Sequence, residues 1–206
     1  DTTNPTGIGF SLLTDTGSSS TDGISSVGTV AVTGLNADTT WEYSINATAG
    51  TPTWTTGVGS SFTLAAGDYA IGDINVRQTD AAGNLNTSSG NAALITIDQT
   101  APAAAVIAVV ADSQNNTYAA GFSVTTGAVV SLNGADLANF TKQTNVGGLD
   151  IYTANDGAFA GTESIAVSAS FTDTAGNIST SSLNLPSIDT TNPTGIGFSL
   201  LTDTGS

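Results

Sequence analysis

The chain carries seventeen acidic side chains against two basic ones, Arg77 and Lys142, and has neither histidine nor cysteine. That inventory narrows the chemistry before any fold is considered. General acid–base and nucleophilic catalysis draws mostly on His, Cys or an activated Lys beside a base, and here a single Lys is all that is present. Zinc and copper centres want imidazole or thiolate. What remains is oxygen: Asp carboxylates, Asn carbonyls and hydroxyls, the ligand set of Ca2+. A carboxylate pair for glycoside hydrolysis is allowed by residue type, but the acids fall in turns rather than along a cleft, so no enzyme and no small-molecule substrate are expected. A formal net charge of −15 leaves no basic face for phosphates, so neither nucleic acid nor an anionic membrane is an expected partner. The plainer reading of the acids is solubility or a salty habitat. Where they sit decides between that reading and the cation.

Their setting is a repeat. Residues 1–18 and 189–206 are identical, and a weaker echo, Ile97-Asp98-Gln99-Thr100-Ala101-Pro102, lines up with Ile188-Asp189-Thr190-Thr191-Asn192-Pro193. The pattern predicts a slice of a tandem array, with units at 1–97 and 98–188 and the first strand and loop of a further repeat at 189–206. Each opens on Asp-x-Thr-x-Pro, a stiff spacer because proline fixes its own φ and biases the preceding residue toward extended backbone.

Ala, Val, Ile and Leu come in short alternating pieces separated by Thr, Ser, Gly and Asn, a β-and-turn composition with helix nearly absent. In the first unit the pattern predicts strands at 7–14, 29–33, 41–45, from Trp54, at 61–64, through Ile74 and Val76, and at 93–97. The phase slips between Ile71 and Ile74, which suggests a bulge at Gly72. Leu64 to Tyr69 has the form of a tyrosine corner. Trp41 and Trp54 are both read as core. In the second unit strands are expected at 103–111, 129–132, 149–152 and, most clearly, 165–172, with a loop at 112–117; residues 162–164 stand where the corner tyrosine is missing. About seven short strands per unit indicate all-β, Ig-like Greek-key sandwiches arranged end to end.

In that topology the loop after the first strand lies at one pole, and the loop between the last two strands at the other. Asp15 and Asp22, with Asp68 as a neighbour, are then expected beside the linker Asp98 and the turn residues Asp173 and Asn177. Equivalent groups are Asp1, Asp80 and Asn84 at the first opening, and Asp112, Asp156 and Asp189 at the next junction. Junctional Ca2+ is the expected cofactor.

Asp-x-Thr-x-Pro, Asp-Thr-Gly-x-Ser-x-x-Asp-Gly-Ile, Gly34-Leu35, Trp41-x-Tyr-Ser, Trp54 with 57–62, Val76-Arg-Gln-Thr-Asp and Ala82-Gly-Asn together resemble the bacterial Ig-like repeats of giant type I-secreted adhesins, including biofilm-associated and RTX adhesins. The resemblance spans nearly all of the first unit; in the second it rests on the linker and 171–177. It implies a spacer: monomeric, extracellular repeats on the bacterial cell surface, partnered by neighbouring repeats, stiffened by Ca2+ and projecting a distal binding domain for adhesion or biofilm formation. By resemblance, the calcium carboxylates map onto Asp15, Asp22, Asp1, Asp98, Asp189, Asp80 and Asp173. Asp112 lacks the second loop Asp that follows Asp15, so that junction is expected to bind more weakly. The competing expectation is a carbohydrate- or surface-binding sandwich module.

Overall fold

A computed structural model describes residues 1–112 and 119–191. The sequence-predicted loop at 112–117 therefore lies, beyond Asp112, outside the described residues, as does most of the third copy at 189–206. The chain divides into two compact units, Asp1–Pro102 with Thr172–Ile178, and Ala103–Phe171 with the described residues from Ser179 on. Among the described residues the one helical piece is a 3-10 turn at Leu137–Asn139, and no helix is long and apolar enough to cross a membrane.

The first unit contains β1 (Gly9–Leu12), β2 (Ile24–Ser25), β3 (Thr29–Thr33), β4 (Thr40–Ser44), β5 (Thr55–Thr56), β6 (Ser61–Thr63), β7 (Gly67–Tyr69), β8 (Asn75–Thr79), β9 (Leu85–Thr87) and β10 (Ile95–Ile97). One sheet has the order β1-β3-β6; the facing strands are ordered β5-β4-β8-β9 and β2-β10-β7, with β2 parallel to β10 and the other pairs antiparallel. Alternation does what the sequence implies. Val30 and Val32 point inward with Phe62 and Leu64 and meet Trp41, Ile74, Val76 and Ile97 from the facing strands. Gly57 makes room for the indole, because a Cβ there would lie 2.1 Å from the Trp41 ring. The Trp41 Nε1 donates to the Gly59 carbonyl at 2.9 Å.

Trp54 departs from the core reading. Its ring lies 4.0 Å from the Arg77 guanidinium carbon, and Arg77 is ion-paired to Glu42 at 2.7 Å. Arg77 alternates with buried Val76 and Gln78, so it and Trp54 belong to the outer face of that sheet. The strand after Trp54 is two residues long at a sheet edge, too short to impose an inward phase.

The tyrosine corner is present: the Tyr69 hydroxyl donates to the Ala65 carbonyl at 3.0 Å. The slip at Gly72 is a full interruption of the strand between β7 and β8, where Gly72 has φ +83°. The adjacent strand breaks opposite it, between β9 and β10, and Asn91 fills the double gap. Its Nδ2 donates to the carbonyls of Ala93 (2.7 Å), Ala70 (2.9 Å) and Tyr69 (3.3 Å), while its Oδ1 accepts from the Ile74 amide at 2.9 Å. One buried amide thus replaces the ladder bonds that both bulges give up.

The second unit contains β11 (Ile107–Ala111), β12 (Ala119–Thr125), β13 (Val129–Asn133), β14 (Phe140–Val146), β15 (Leu149–Ala154), β16 (Ala166–Thr172) and β17 (Ile178–Asn184). The sheets run β11-β12-β15-β14 and β13-β16-β17, the strand order of a constant-type immunoglobulin sandwich. Its core is aromatic. Phe122 is fully buried, stacks on Tyr152 with centroids 4.6 Å apart, and meets the edge of Phe140 at 5.3 Å. Where the corner tyrosine is absent, the Glu163 carboxylate accepts from the Ala160 and Thr162 amides.

Lys142 is spent inside this unit. Its Nζ lies 2.8 Å from Asp150, whose buried carboxylate also accepts from Thr126 Oγ1 and the Asn145 amide. The ammonium first, then the Asn145 amide, hold the Asp150 carboxyl below the usual carboxylate range. A folded pKa below the unfolded value of about 3.9 means that the unfolded chain binds more protons in acid. The stabilisation is therefore complete above about pH 4 and lost as the pH falls through the folded value. Urea midpoints followed by circular dichroism should fall below that pH, and Lys142→Met should lower the neutral-pH midpoint and flatten the acid decline.

Candidate metal centre

The loop from β1 to β2 is built around hydroxyls. The Ser25 Oγ is buried and accepts from the amides of Thr16 (3.3 Å) and Val27 (3.1 Å), with the carbonyls of Thr14 and Val27 as its acceptors at 3.1 and 3.0 Å. Thr16 Oγ1 accepts from the Ser26 amide at 2.8 Å and donates to the Ala175 carbonyl, also in the first compact unit, at 2.6 Å. Gly23 turns the chain back with φ +75°, and a Cβ there would come within 2.9 Å of the Leu94 carbonyl. These features fix the two loop acids. Asp15 Oδ2 accepts from the Gly23 amide at 3.0 Å, and Asp22 Oδ1 accepts from the Ile24 amide at 3.0 Å.

Asp15 and Asp22 line one cavity of about 530 Å3, shared with Ser20, Thr21, β1 and residues 88–95. Asp15 Oδ1 is buried with no hydrogen-bond partner, the one such side-chain atom among the described residues. A buried carboxylate oxygen left unpaired is costly, and proteins resolve it with a donor, a water or a cation. Asp22, Ser20 and Thr21, which line the same cavity, offer oxygen as their only side-chain ligand atoms. The donor chemistry therefore fits a hard divalent ion of the Ca2+ type.

The other acids sit differently. Asp68 accepts from its cross-strand neighbour Thr96 at 2.7 Å and does not line the cavity. Asp80 and Asn84 form a closed turn, the carboxylate accepting from the amides of Ala82 and Asn84 and from Asn84 Nδ2 at 2.8 Å, while Nδ2 also reaches the Asp1 carbonyl at 3.3 Å. Asp173 and Asn177 repeat this with the Asp98 carbonyl: Nδ2 donates to Asp173 at 2.9 Å and to Asp98 at 2.8 Å. Asn84 thus ties Asp80 to the Asp1 backbone and Asn177 ties Asp173 to the Asp98 backbone, through carbonyls and not through the linker carboxylates, while Asp15 and Asp22 line a cavity that Asp98, Asp173 and Asn177 do not. In both turns the Asn side chain first, then the backbone amides, lower the Asp pKa. The side chains of Asp1, Asp98 and Asp189 each accept from the amide two residues on, the linker turn that Asp-x-Thr specifies. Asp189 also takes the Thr191 hydroxyl, which is the leading reason its pKa is lowered. Asp189 bridges to Ala160, and Gly157, next to the exposed Asp156, donates to the Thr190 carbonyl. Asp112 ends the described stretch after β11. Among the described residues no three acidic side chains form a single cluster. Sequence reasoning passed over the buried Asp150, whose only signal was an acid alternating inward with Tyr152.

No protein-family model matches the chain, and no curated protein does.

Proposed function

We propose that the chain is a run of structural extender repeats from a large bacterial surface adhesin, with Ca2+ held first at the loop acids Asp15 and Asp22. The observation that supports this most directly is the unpaired, buried Asp15 Oδ1 in a loop whose first six residues, 13–18, recur at 201–206. Asp15 and Asp22 would hold the ion, with the Ser20 and Thr21 hydroxyls beside them. When bound, Ca2+ supplies the positive charge that the loop lacks; the loop itself is pre-shaped by Ser25, Thr16 and Gly23. The linker acids and the Asn-bridged turns would then brace successive repeats, and an extracellular location and neighbouring repeats as partners follow from the same reading.

Extracellular calcium modules bind at roughly 10⁻⁴ to 10⁻³ M. Ten-fold to hundred-fold saturation stabilises the folded state by about 1.4 to 2.7 kcal/mol, a rise in melting temperature on the order of 10 °C for a unit of this size. Calorimetric titration should show uptake by the wild type, and Asp15→Asn should abolish both the heat and the thermal shift while Asp38→Asn, at an exposed turn, leaves them intact. Small-angle scattering should give a larger maximum dimension in Ca2+ than in EGTA. A wild type with no heat and equal dimensions would overturn the proposal.

The competing reading, a carbohydrate- or surface-binding module, draws its support from Trp54, which is half-buried on an outer face beside Arg77 and Glu42. An aromatic ring with polar neighbours is what sugar stacking uses. A selective glycan-array signal that disappears in Trp54→Ala would favour it over the spacer.

A further inference from the structure

We infer that the gap between β1 and residues 88–95 is a strand-binding slot. Its occupant is an extended segment of another protein, running antiparallel to β1, with a Lys or Arg at its N-terminal end. β1 is an edge strand, paired with β3 alone. The Leu13 amide donates to the Thr29 carbonyl at 2.8 Å, and the register sets Phe10 opposite Val32 and Leu12 opposite Val30. Hydrogen-bonded and non-bonded pairs alternate along an antiparallel ladder, so the N–H and C=O groups of Phe10 and Leu12 point away from β3. The Val32 amide has the matching phase: it turns away from β1 and donates to the Ser60 carbonyl at 2.9 Å.

This open edge borders the cavity of about 530 Å3, whose lining takes in residues 8–12 without a break and residues 88–95 likewise. Ser11, Ser89, Ala92, Ala93 and Leu94 are exposed, so the slot is reached from solvent. Sheet edges are commonly guarded by charges, prolines or bulges. β14 has Lys142 and a register shift, and β11 has a register shift. β1, Gly-Phe-Ser-Leu, has no charge, no proline and an unbroken register, which leaves it able to accept a further strand. Charge selects that strand. Asp15 follows the C-terminal end of β1 and lines the slot with Asp22, and its Oδ1 has no partner. An antiparallel strand begins at this end, so a basic side chain near its start meets both acids. A second copy of this chain is a poor match, because its formal charge is −15 and both of its basic side chains are ion-paired. The inference goes beyond the calcium reading: Ca2+ and a basic side chain compete for the same oxygens.

The test uses the whole chain in EGTA, which keeps the acids free of metal. The probe is the hexapeptide Lys-Val-Thr-Val-Thr-Val with fluorescein at its C-terminus, followed by anisotropy. It should bind saturably, and amide hydrogen exchange should slow at Phe10 and Leu12. Glu in place of the peptide's Lys, or Asp22→Asn at an exposed position of the protein, should weaken binding roughly tenfold, the loss expected of one charge-assisted hydrogen bond. N-methylation of the peptide backbone should abolish binding, because strand addition runs through main-chain hydrogen bonds. Equal binding of the N-methylated peptide would show attraction by charge alone and overturn the inference, as would no binding of the parent peptide or protection confined to other strands.

Discussion

Asn91→Leu should strongly destabilise the first unit. The substitution keeps the volume but removes an amide whose Nδ2 serves Ala93, Ala70 and Tyr69 and whose Oδ1 holds the Ile74 amide. Each buried polar group stranded this way costs about 1–3 kcal/mol. Neither strand can restore its ladder, because Gly72 and Gly90 approach so closely that a Cβ on Gly90 would lie 2.6 Å from the Gly72 Cα. Ala70 and Ala93 are exposed and their carbonyls can turn to water, so the loss rests on the Ile74 amide and the Tyr69 carbonyl, about 2–6 kcal/mol in all, a large part of the roughly 5 to 15 kcal/mol that holds a small domain folded. Urea unfolding of the variant should show the transition of the first unit moved to markedly lower denaturant. A midpoint within experimental error of the wild type would mean that the double bulge is held by something other than this side chain.

The second unit should be equally dependent on Phe122. Its side chain is fully buried, stacked on Tyr152 and met edge-on by Phe140. Phe→Ala at such a site costs about 3–5 kcal/mol through lost transfer energy and the cavity left behind. In a domain of about a hundred residues that lowers the melting temperature on the order of 20 °C. Phe122→Leu keeps most of the volume and should recover well over half of the loss. Calorimetry of both variants tests this, and a Phe122→Ala scan with an unshifted transition for this unit would refute the packing argument.

Much of the architecture is legible in the chain itself where a residue type has one physical use. Tyr69 after Leu64-Ala65-Ala66-Gly67 reads as a corner because a buried phenol needs an acceptor a few residues upstream, and Ala65 provides it. Val30 with Val32 and Val167 with Ala169 alternate because one face of each strand is buried. The strands that escaped notice lack that contrast. β12 is buried at five of its seven positions, so its sequence, Ala-Ala-Gly-Phe-Ser-Val-Thr, has no polar phase to betray a strand. β14 is the reverse, an edge strand buried only at Phe140, whose remaining residues resemble a loop. The acids show the same division. That Asp-x-x-Gly-Asn closes on itself follows from Asx-turn chemistry, whereas the isolation of Asp15 Oδ1 depends on Gly23 and Ser25, and no spacing rule announces it.

The aromatic residues are unevenly distributed, and this has a practical use. Both tryptophans, Trp41 in the interior and Trp54 against Arg77, lie in the first unit, and the second has none. Indole emission thus watches half of the chain. A melting step seen by circular dichroism but silent in that emission belongs to the other half, so the two halves can be timed separately in one cuvette with no label attached.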